Sequence, residues 1–67
     1  MKDCNQNLLN VLEITEKLLS IADKGDVDRE DDGCGVVYGV VRDSAFKIKA
    51  LTEREIEKHK SKGVWDR

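Results

Sequence analysis

Asp32-Gly33-Cys34-Gly35-Val36-Val37-Tyr38-Gly39-Val40-Val41-Arg42-Asp43-Ser44-Ala45-Phe46-Lys47-Ile48 decides how the chain is read. The stretch holds three glycines, two Val-Val pairs, a cysteine and two of the three aromatics. Cys34, Val37, Val41, Ala45, Ile48, Leu51/Thr52 and Ile56 recur at helical spacing, with Tyr38 on one edge and Val40 on the other. That pattern predicts a long helix from about residue 29 to 61. On its wheel Gly35, Gly39, Phe46 and Ala50 fall on the opposite side. Glycine costs about 1 kcal/mol relative to alanine inside a helix. Two glycines four apart therefore mark a surface that something approaches closely.

Upstream the chain turns acidic. Residues 23–32 hold six acids against two bases, and acids in a first turn offset the positive end of a helix dipole. Asp28 with Asp31 resembles capping-box spacing. Asp26, Asp28, Glu30 and Asp32 alternate ahead of Gly33, which invites a calcium-loop reading. With Asp28 first, the twelfth ligand position is Gly39; with Asp26 first, Asp31 stands where glycine must be. Both registers fail, and an anionic helix-capping turn remains.

Before that turn, Leu8, Val11, Leu12, Thr15, Leu18, Leu19 and Ala22 recur at helical spacing, and Ile14 and Ile21 widen the stripe. They predict a shorter helix over about 5–23, stopped by Lys24-Gly25. Lys62-Gly63 closes the second helix, and Val64-Trp65-Asp66-Arg67 forms a tail.

The expected fold is all-α, an antiparallel helical hairpin in a single domain over 1–67 with an acidic turn at 24–28. Charged residues are 39%, aromatics 4%, and proline is absent, as suits helices with wet outer faces. A chain this short gains only about 3–5 kcal/mol from one core. Both helices carry apolar arcs wider than one partner helix covers, so self-association into a homodimeric four-helix bundle is expected. In length and layout the chain resembles the Rop-type hairpins, which dimerise into four-helix bundles and bind RNA. That likeness assigns no role to any residue.

Function is bounded mainly by what does not assemble. Two cysteines make no disulfide scaffold, and with one histidine they fall short of the four ligands a structural zinc takes. Ser44 has no base to activate it. No catalytic set and no cofactor site can be drawn. No apolar run is long enough for a signal peptide or a membrane span. The net charge of −2 exerts no global pull on nucleic acid.

The reading is a cytoplasmic, non-enzymatic, homo-oligomeric interaction or adaptor module that binds itself and a protein partner. Gly35, Gly39, Phe46, Ala50, Ile56 and Trp65 are the candidate contacts, with the helix beyond Thr52, including His59, as an overhang. One alternative is a nucleic-acid-binding regulator using Lys47, Lys49, Arg54, Lys58, Lys60 and Lys62, a set interrupted by Glu53, Glu55 and Glu57. A second is a thiol or metal sensor centred on Cys34. That thiol stands at a helix start, which favours thiolate, but among acids, which oppose it.

Overall fold

The computed structural model describes residues 1–65; Asp66 and Arg67 of the expected tail lie outside them. Two helices, α1 (Asp3–Asp28) and α2 (Asp32–Ser61), pack side by side as an antiparallel hairpin, and among the described residues no strand forms. The unit is a rod of 48 × 15 × 12 Å. The helices contain 26 and 30 residues, so α2 has almost no overhang.

The turn lies later than the sequence suggests. Lys24-Gly25 does not stop α1, which continues to Asp28. Gly25 serves a packing purpose instead. A Cβ placed there would overlap the Tyr38 ring, so the glycine is a notch that lets the ring lie on the backbone of α1. Arg29 then leaves the helix in an extended conformation, with its guanidinium 3.0 Å from Asp26. Asp31, also extended, starts α2: its carboxylate accepts the Cys34 N–H at 2.8 Å. The cap is thus Asp31 itself, in place of the Asp28 arrangement expected.

α2 ends on a Schellman turn. Gly63 adopts a left-handed φ of 73°, Val64 N–H reaches the His59 carbonyl, and Gly63 N–H reaches that of Lys60. Lys58, His59 and Lys60 in the last turn suit the negative end of the helix dipole.

The seam between the helices follows three-four alternation. From α1 it takes Asn5, Leu8, Leu12, Thr15, Leu19 and Ala22; from α2, Tyr38, Arg42, Ala45, Lys49, Thr52, Ile56 and His59. Asn5, Thr15, Ala22, Ala45, Thr52 and Ile56 are buried. Thr15 and Thr52 donate their hydroxyls to Leu12 and Ile48 carbonyls of their own helices, at 2.8 Å each, and so pack as small apolar groups. The stripe expected to face inward on α2 therefore splits. Ala45, Thr52 and Ile56 enter the seam, while Val37, Ile48 and Leu51 stay exposed.

Candidate functional site

The two flanks of the hairpin differ sharply. Each seam residue has a neighbour one position earlier, rotated about 100° around its helix. Because the helices run in opposite directions, these earlier neighbours point to the same side of the rod. They are Val11, Ile14, Leu18 and Ile21 on α1 and Val37, Val41, Ser44, Ile48 and Leu51 on α2, with Val40 alongside. The side-chain positions agree. Ile21 of α1 and Cys34 of α2 line one cleft on this side, with Tyr38 at its edge. On the other side Leu9 of α1 and Glu53, Glu57 and Lys60 of α2 line a second cleft.

The first flank is apolar and open. Ile14, Ile21, Val37, Val40 and Leu51 are each 52–59% exposed. The second flank is crossed by ion pairs. Arg42 meets Asp23 at 2.8 Å, and Lys49 meets Glu16 at 2.8 Å. Hydrogen bonding to Glu16 and its charge hold the Lys49 ammonium above the usual lysine range. These pairs also set the register, with Glu16 level with Lys49, Asp23 with Arg42, and Asn5 with His59.

At the open end Asn5 is completely buried. Its amide nitrogen donates to the Val64 carbonyl at 2.8 Å and the Trp65 carbonyl at 2.7 Å. Those two bonds fix the amide orientation, so its oxygen accepts from His59 Nδ1. His59 Nε2 faces Glu55 Oε1 at 3.4 Å. One asparagine thus ties the start of α1 to the end of α2 and to the chain folded back beyond it. Hydrophobic counting passes over this pin; the signal for it was an asparagine and a histidine falling on seam positions.

The residues expected as contacts are scattered. Ile56 is 6% exposed and sits in the seam, so it is covered within the hairpin and does not stand on an overhang. His59 is likewise turned inward, onto Asn5. Gly35 lies under the Arg29 side chain, and a Cβ there would come within 2.8 Å of Arg29 Nη1. Space is open around Gly39. Phe46 and Ala50 are exposed and lie on the ion-paired flank, away from the apolar one. Trp65 is half-buried, with the Lys60 ammonium 5.5 Å from its ring centre.

Cys34 is half-buried in the first turn of α2, and Cys4 is exposed at the opposite end of the rod; both are free thiols. Among the described residues, no group of three His, Cys, Asp or Glu side chains is placed to hold a metal ion. Nor is any described helix long and apolar enough to cross a membrane. Comparison with protein-family models, curated proteins and solved structures finds no match to this chain.

Proposed function

We propose that the chain is a non-enzymatic, homo-oligomeric interaction module whose working unit is a four-helix bundle of two hairpins joined flank to flank. The observation that carries this reading is the row of half-exposed Ile14, Ile21, Val37, Val40 and Leu51 on a single side. A contiguous apolar patch of this kind marks an association surface. Within the seam, Asn5, Arg42, Lys49 and His59 interrupt Leu8, Leu12, Leu19, Tyr38 and Ile56 and limit the apolar core it can build. A second hairpin would supply what the seam lacks. Dimerisation leaves the flank bearing Phe46 and Ala50 exposed to other proteins.

The ion pairs favour this role over nucleic-acid binding. Lys49, Lys58 and Lys60 of the basic set engage Glu16, Glu55 and Glu57, which blunts them as phosphate contacts. We place the module in the cytoplasm because it carries two free thiols, the state a reducing compartment maintains.

Sedimentation equilibrium at micromolar concentration tests the reading. The chain should sediment at twice its 7.6 kDa mass. Ile14→Glu and Val40→Glu should each shift it to the monomer while keeping its helical circular dichroism. A wild-type chain that is monomeric throughout would sink the proposal.

A further inference from the structure

Taking the apolar flank as the self-association surface, as proposed above, we infer that the two hairpins join with their turns at opposite ends of the bundle. Two arrangements put flank on flank. In one the turns coincide; in the other each turn lies over the other copy's open end. The charge at the two ends of the rod chooses the second.

Around the turn, residues 23–32 hold six acids against Lys24 and Arg29. At the open end, Glu55, Lys58 and Lys62 continue the line of Val37, Val41, Ser44, Ile48 and Leu51 along the flank, two bases to one acid. Coincident turns would set two acidic ends side by side, and two sets of lysines at the far end. Opposed turns bring Asp28, Glu30 and Asp31 of one copy, which line the cleft on the apolar side, beside Lys58 and Lys62 of the second. Complementary charge of this kind selects orientation more than it adds affinity.

Pyrene excimer emission separates the two orientations. The background is Cys4→Ser with Cys34→Ala, and the label goes on Glu30→Cys at the turn or Lys62→Cys at the open end. Mixing the two labelled chains should give strong excimer emission, and Glu30→Cys chains alone should give only monomer emission, since opposed turns are separated by about the 48 Å length of the rod. Excimer from Glu30→Cys chains alone, or equal excimer from both samples, overturns the orientation. If sedimentation of the labelled chains shows monomers and no sample gives excimer, it is the dimer reading that falls.

Discussion

The ring of Tyr38 lies on the backbone of Gly25, where a single added methyl group would collide with it. Alanine at position 25 would gain about 1 kcal/mol of helix propensity and expel the half-buried ring. The two effects oppose each other, so Gly25→Ala alone should change stability little. In a Tyr38→Ala background the same substitution should stabilise by about 1 kcal/mol. Urea denaturation of the four chains in this double-mutant cycle measures the coupling, and NMR shifts of the Tyr38 ring protons show whether it has moved. Additive effects in the cycle would refute the notch.

Asn5 makes a sharper prediction. Asn5→Ala strands two carbonyls and an imidazole that now have partners. Each partner left buried and unsatisfied costs about 1–3 kcal/mol; Val64, Trp65 and His59 are only half-buried, so water can take up part of the deficit and the total loss in urea should be about 2–3 kcal/mol. Asn5→Asp keeps an acceptor for His59 and sets a carboxylate against the carbonyls of Val64 and Trp65. It should be no better than alanine near neutral pH. In both variants Trp65 fluorescence should shift to the red as the folded-back segment leaves its place.

Two groups give the stability a pH dependence of opposite sign. The Cys34 N–H bonded to its carboxylate holds Asp31 below the usual aspartate range. A depressed carboxyl stabilises the fold above its unfolded pKa, and that contribution disappears as pH falls through the folded value. Glu16 raises the Lys49 ammonium, so its contribution is present below the unfolded lysine pKa and is lost as pH climbs through the raised one. Thermal melts across pH should therefore show Asp31→Asn, which still caps, flattening the acid limb alone. Lys49→Met should flatten the alkaline limb alone. An acid limb that is unchanged in Asp31→Asn would remove the cap from the account.

If the flank joins two copies, melting must depend on concentration, because binding to the folded state alone stabilises it by mass action. A tenfold dilution should lower the melting midpoint of the wild type and leave that of Ile14→Glu where it was. Equal midpoints for the wild type at both concentrations, in the range where sedimentation is read, would count against the dimer.

The helices were legible in the sequence because Leu8, Val11, Leu12, Thr15, Leu18 and Leu19 repeat with the period of a helix, as do Val37, Val41, Ala45 and Ile48. The place of the turn was not. Lys24-Gly25 has the form of a stop signal, but its glycine answers to Tyr38, far along the chain. The true connection, Arg29-Glu30-Asp31, contains neither glycine nor proline. The seam was legible on α1, where Leu8, Leu12, Thr15, Leu19 and Ala22 of the expected stripe line it, but only in part on α2. There Ala45, Thr52 and Ile56 of the expected stripe turn inward, while its greasier members Val37, Ile48 and Leu51 stay outside. Thr15 and Thr52, which spacing puts in the stripes, pack there because each hydroxyl bonds to its own helix.

The Asn5 pin also bears on how the rod yields to force. Residues 1 and 65 lie at the same end, so tension between them pulls the helices apart like the two arms of a peeling strip. The load falls first on the carboxamide of Asn5 and its bonds to His59, Val64 and Trp65, before any apolar layer feels it. Peeling breaks contacts in succession, so stretched singly the hairpin should open at low force, with one early event that vanishes when residue 5 is alanine.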